Sequence, residues 1–201
     1  RHGTSLLLRA GREAFMHLRV DGVNCIGKNI LRLRPKIYCA DHGFREAFFS
    51  GSNDRNIEQV LENIVATELT RRGWSLRFGS VSDKKVDFVA EKNGRRMYVQ
   101  VCYLLASDQT LEREFSPLQA IRDNWPKLIL SLDEVNRSTL GIEHRNLQQW
   151  LLQRVIFVNR HLHHRGNSSY RSEMRNAFRL QAMRQYTAVH TALLVLETYQ
   201  R

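Results

Sequence analysis

The residue pattern predicts an α/β sandwich, and three observations predict it. Ile57, Val60, Leu61, Ile64, Val65 and Leu69 fall at i, i+3, i+4, i+7, i+8 and i+12, which places them on one face of a helix. The period then drops to two. Trp74, Leu76 and Phe78 alternate with Ser75 and Arg77, as in a half-buried strand. Finally, Asn93-Gly94 separates two apolar alternating runs, 86–91 and 97–105. Both turn residues tolerate positive φ, so the pair marks a tight hairpin.

Taken in order, residues 5–19 read as a helix running into a strand. Segments 28–33 and 36–40 have strand character on either side of Arg34-Pro35. Asp41-His42-Gly43 is a turn, 44–49 a short helical stretch and 50–54 a polar loop. Asn56 is the expected N-cap of the long helix, and Gly73 ends it after Arg71 and Arg72, whose charges suit a helix C-terminus. Beyond the hairpin come a helix over 111–124, a strand over 128–132 and a short helix over 146–152. After Leu152 the texture changes: residues 170–197 read mostly as helix, with Arg171, Arg175 and Arg179 stacked at i, i+4 and i+8. Three parts are expected: a lead-in over 1–50, a core domain over 51–152 and a basic helical tail over 153–201.

The formal charge of +11 is unevenly spread. Residues 1–20 carry +3 and residues 153–201 carry +6, leaving +2 for everything between. A charge argument for nucleic acid therefore points to the ends. No run of eighteen apolar residues suggests a membrane span. Cys25, Cys39 and Cys102 lack paired spacing, so neither a disulfide framework nor a zinc knuckle is expected, and a reducing cytoplasm is the default. The chain begins with Arg1 rather than Met, which suggests a piece of a longer protein.

The hairpin carries the chemistry. With Asn93-Gly94 as a two-residue turn, Asp87 faces Gln100 and Lys85 faces Cys102, all on one face by strand alternation. A carboxylate and an amide oxygen so placed could share Mg²⁺, which would polarise a phosphodiester and activate water. Glu68 falls near the middle of the helix's apolar stripe, where it needs a partner such as Arg113. Gly22 to Asn29 copies the P-loop spacing, but Asn29 replaces the Mg²⁺-binding hydroxyl and no helix pattern follows. A turn between strands is expected there, and no ATP binding. His161, His163 and His164 have no nearby carboxylate or thiol to complete a metal site, and no nucleophile-elbow pattern supports a hydrolase triad.

The helix bearing Glu62, followed by a hairpin with Asp87 and Gln100, resembles the PD-(D/E)XK nuclease superfamily. Five longer strings narrow the resemblance: PKIYCADHGFREAFF, IEQVLENIVATELTRRGW, KKVDFVAEKNGRRMYVQVCYLLASDQTLEREFSPLQAI, NWPKLILSLDE and GIEHRNLQQWLL. In that order they resemble the domain of unknown function at the C-terminus of bacterial and archaeal predicted AAA+ ATPases, over about 15–152. The resemblance implies a restriction-endonuclease-like core, with residues before about 50 left from a winged-helix-like region that follows a P-loop ATPase. It also implies Glu62, Asp87 and Gln100 as the catalytic and metal-binding set. The superfamily lysine two residues after the Glu/Gln is Cys102 here, and Lys85 is the nearest ammonium that could stand in.

The expected function is a catalytically degenerate recognition module that binds nucleic acid or docks against an ATPase domain or subunit, with no cofactor. Arg171, Arg175 and Arg179 are candidates for phosphate contact. The alternatives are a Mg²⁺-dependent nuclease of the PD-(D/E)XK type, and a decayed gene remnant without activity of its own.

Overall fold

A computed structural model of the chain describes residues 17–25, 34–39 and 57–153. The expected segments at 5–16, 28–33 and 44–49, the Asn56 cap, the three histidines at 161–164 and the Arg171, Arg175 and Arg179 stripe lie outside the described residues. The elements are β1 (His17–Asn24), β2 (Lys36–Cys39), α1 (Ile57–Arg71), β3 (Ser75–Val81), β4 (Lys84–Lys92), β5 (Arg95–Val101), α2 (Asp108–Gln119), β6 (Lys127–Ser131) and β7 (Ile142–Asn146). The chain divides into two compact units, 1–146 and 147–201. In the second, residues 147–153 are helical, and Leu147, Trp150 and Leu151 are buried. No helix among the described residues is long and apolar enough to cross a membrane.

The fold is α/β. One mixed sheet of seven strands runs in the order β2-β1-β3-β4-β5-β6-β7. The β3–β4–β5 meander is antiparallel, whereas β6 runs parallel to β5 and β7 parallel to β6. On the other side β1 lies parallel to β3 and pairs antiparallel with β2. Residues assigned from sequence to the lead-in therefore run in the same sheet as the core.

The long helix forms as its period requires. Val60, Leu61, Ile64, Val65 and Leu69 are buried, each large apolar side chain worth about 1.5–3 kcal/mol on burial. Gly73 ends the turn at φ +82°, a conformation in which a Cβ is strained. The hairpin register is the one the Asn93-Gly94 turn dictates: Lys92 pairs with Arg95, and the ladder runs back to Phe88 opposite Val99. Asn93 and Gly94 both have positive φ, at 50° and 73°.

Val89, Tyr98, Ile129 and Ile142 of the sheet join Phe115, Leu118 and Cys102 in one buried cluster with α2. Phe88 and Val99, which alternate to the other face, are equally buried, and α1 contacts the same strands.

Three expectations need correction. The helix expected over 111–124 is Asp108–Gln119. Ser107 caps its start by accepting from the Thr110 N–H, and the chain leaves it at Ala120, soon after Pro117. Strand β7 was not expected, because only Ile142 and His144 of its five residues are buried. The P-loop-like string does not start in a turn, since Gly22, Val23 and Asn24 pair with β3. Its remainder past Cys25 lies outside the described residues.

Candidate functional site

The site forms where the β3–β4 ladder is interrupted. Arg77 of β3 pairs with Val89, and Gly79 pairs with Val86, so Phe78 alone opposes both Asp87 and Phe88. An extra residue of this kind re-aims a side chain. The strict alternation that the sequence reading assumed is broken at Asp87. Its carboxylate Oδ2 accepts the Val101 N–H at 3.0 Å, and its own N–H donates to Gln100 Oε1 at 3.3 Å. Asp87 and Gln100 thus meet, but through the main chain rather than as two side chains aimed at one point.

Each then leads to a different helix. Gln100 Nε2 donates to Glu114 Oε2 of α2 at 3.0 Å, and Arg113 Nε donates to Glu114 Oε1 at 2.7 Å. Asp87 Oδ1 lies 3.5 Å from Lys36 Nζ, and the same ammonium donates to Glu62 Oε2 of α1 at 2.8 Å. Tyr38, two residues along β2 from Lys36, donates its hydroxyl to Glu62 Oε2 at 2.9 Å. Glu62 and Asp87 therefore converge on a single cationic atom, Lys36 Nζ.

The electrostatics follow from that convergence. Burial and the charge of Glu62 push the Asp87 carboxyl up to about 7, against the opposing pull of Lys36 and the Val101 N–H. Burial would drain the charge of Lys36, but Asp87 and Glu62 outweigh it and hold the ammonium charged above its ordinary range. Tyr38 is raised far beyond its usual range, by burial first and then by Glu62, so it remains a donor.

Two sequence candidates behave otherwise. Lys85 is exposed, the β4–β5 ladder ends at Phe88–Val99 before reaching a Lys85–Cys102 pair, and Lys85 makes no ion pair among the described residues. Cys102 is buried in the α2 cluster, and burial followed by the charge of Glu114 drives its thiol far up, holding it as the thiol. Glu68 is paired, as its burial demands, but with Arg71 and Arg72 one turn along its own helix. Arg113 instead binds Glu114 and Glu58.

Sequence reasoning missed Lys36, Tyr38 and Glu114. The Lys-x-Tyr spacing of β2 puts two polar tips on one side of a strand, and Glu114 stands beside Phe115 on the buried side of α2. Those were the available signals.

The donor set bears on magnesium directly. Glu62 and Asp87 offer two carboxylates, and Mg²⁺ is commonly held by one or two carboxylates with several waters. Lys36 Nζ, however, takes the point where those oxygens meet. Gln100 Oε1 is committed to the Asp87 N–H and Glu114 to Gln100 and Arg113. Among the described residues no three His, Cys, Asp or Glu side chains gather as a metal site.

A serine, a histidine and an aspartate also meet at the β6–β7 end, in an order unsuited to hydrolysis. His144 Nδ1 accepts the Arg137 N–H, so Nε2 carries the proton and donates to Ser131 Oγ at 2.9 Å. The Ser131 hydroxyl donates in turn to Asp133 at 2.8 Å. The histidine cannot take the serine proton in this arrangement. Burial also lowers its basicity.

No family model matches the chain, and no solved structure matches it. A curated protein of Haemophilus influenzae, described as an uncharacterized protein, is 31% identical over 153 residues. The match covers 76% of this chain and 37% of that protein, so the chain spans little more than a third of its relative's length.

Proposed function

We propose that the chain is a nuclease-like module of the restriction-endonuclease type, related to the C-terminal domain of predicted AAA+ ATPases, that binds nucleic acid without cutting it. The order helix, strand, hairpin, helix, strand, with Glu62 on the first helix and Asp87 and Gln100 on the hairpin, supports the nuclease-like ancestry. Residues 17–24 and 36–39, expected as a winged-helix-like lead-in, instead add strands β1 and β2 to the sheet that carries the site. One observation carries the loss of cleavage: Lys36 Nζ bridges Glu62 at 2.8 Å and Asp87 at 3.5 Å, so the chain's own ammonium satisfies the carboxylates that a metal ion would use. The expected result is no nicking of plasmid and no digestion of single-stranded DNA in Mg²⁺ or Mn²⁺.

A second reading is favoured by the same atom. A Mg²⁺-dependent nuclease of the PD-(D/E)XK type needs an ammonium beside its acidic pair, and Lys36 supplies one from β2 where Cys102 does not. Cleavage that is abolished by Asp87→Ala and also by Lys36→Ala would establish the nuclease and overturn the binding module.

A further inference from the structure

The fold gathers cations that the charge distribution along the chain disguises. Near the hairpin turn, about 17 Å along β4 from Asp87 at the usual rise per strand residue, an open cleft of about 620 Å³ is bounded by β3, the β4–β5 turn and Trp125. Arg77, Lys92, Arg95 and Arg96 line it against a single carboxylate, Glu91. That carboxylate is taken: Arg96 donates to Glu91 from Nε at 2.9 Å and from Nη2 at 2.6 Å. Lys92 is taken as well, its ammonium donating to the Arg72 carbonyl at the end of α1 at 2.6 Å. Arg77 and Arg95 are exposed and have no acidic or hydrogen-bonding partner among the described residues. The Trp125 ring is 39% exposed at the same cleft, and Ser75 and Asn93 add polar groups to its wall.

We infer that this cleft binds single-stranded nucleic acid, with Arg77 and Arg95 on phosphates and a base stacked on Trp125. The inference rests on the nucleic-acid reading above and deepens it by assigning the surface. Two unpaired guanidinium groups suit phosphate oxygens, and an exposed indole suits the face of a base. A duplex hides its base faces in the stack, whereas a single strand offers a phosphate and a free base face together. A volume of this size is in the range that holds small ligands, here a nucleotide unit of the strand. The acidic pair is not part of the cleft, so binding here does not depend on the state of Lys36.

The test uses the full chain and a fluorescein-labelled oligothymidylate, read by fluorescence anisotropy across a salt series. Arg77→Glu and Arg95→Glu should each weaken binding at least tenfold, on the order expected for losing a charge-assisted phosphate contact. Each should also flatten the log–log salt slope by about 0.7. Trp125→Ala should weaken binding about tenfold. Lys84→Glu, an exposed cation outside the cleft, should leave affinity within about twofold, as surface changes away from a site do. Unchanged melting temperatures establish that the three cleft variants, all at exposed positions, remain folded.

Oligonucleotide binding that survives the cleft substitutions but disappears on joint reversal of Arg171, Arg175 and Arg179 overturns the cleft and leaves nucleic-acid recognition standing. Absence of any binding by the unsubstituted chain overturns both. Adenosine monophosphate displacing the oligonucleotide at an equal concentration of nucleotide would identify a free-nucleotide site, which contradicts the strand assignment.

Discussion

Replacing Lys36 with methionine removes the shared cation and keeps most of the side-chain volume. The consequence can be worked from two distances. At an effective dielectric of about 20, an ammonium contributes about 6 kcal/mol with a carboxylate at 2.8 Å and about 5 kcal/mol at 3.5 Å. Desolvation and side-chain ordering offset much of that gain. Lys36 keeps 31% of its side chain exposed, which weakens the interaction further. The net loss expected is about 3 kcal/mol at pH about 8, above the raised value of Asp87, by analogy with other broken, partly buried pairs.

The pH dependence discriminates more sharply than the magnitude. Lys36, held charged above its ordinary range, carries its charge throughout the interval from pH 5 to pH 8, so it contributes no change of its own there. Asp87 is an acid whose folded value is raised to about 7. Between its unfolded value near 4 and about 7, the folded chain holds a proton that the unfolded chain has released, so stability falls as pH rises through that window. At pH about 5 Asp87 is mostly neutral, Lys36 faces Glu62 alone, and the variant should lose only about half as much. Urea unfolding of both chains at the two pH values measures this. A gap between them that stays constant, or widens toward pH 5, would falsify the shared-cation geometry.

Other outcomes follow from the same contacts. Glu68→Gln removes the charge that binds both Arg71 and Arg72, and should cost about 2 kcal/mol by urea unfolding. Gly94→Ala meets no atom but forces a side chain to a φ of +73°, so a loss of about 1 kcal/mol is expected in the same assay. Cys102, buried and held as a thiol, should stay unalkylated in the native chain under conditions that label it in urea; native labelling detected by mass spectrometry would contradict its placement. A fluorescent ATP analogue should show no saturable binding, because Gly22 to Asn24 are committed to β1.

Local signals account for what was legible in the sequence. The helix over 57–71 follows from one apolar stripe, and the pairing of Asp87 with Gln100 from the Asn93-Gly94 turn, whereas Glu62 joined them only through the family resemblance. Non-local contacts account for the rest. Lys36 lies 26 residues before Glu62 on a four-residue strand, and no periodicity links them. The bulge at Asp87-Phe88 depends on how β3 pairs, which the hairpin turn does not report. Strand β7 was illegible because its buried histidine reads as polar; Ser131, the Arg137 N–H and Ser138 satisfy it in place. Likewise the basic cleft draws Arg77, Arg95 and Trp125 from three separate segments whose summed charge is modest.

The most direct test of the central claim is calorimetric titration of Mn²⁺ into the unsubstituted chain and into Lys36→Met at neutral pH. If Lys36 is the cation of the acidic pair, the unsubstituted chain shows no saturable binding, and the variant, with Glu62 and Asp87 left unbalanced, gains a site that disappears when Asp87→Ala is added. Saturable binding of Mn²⁺ by the unsubstituted chain that is lost on Asp87→Ala would contradict it, since the carboxylates would then belong to a metal ion and the nuclease reading would take its place.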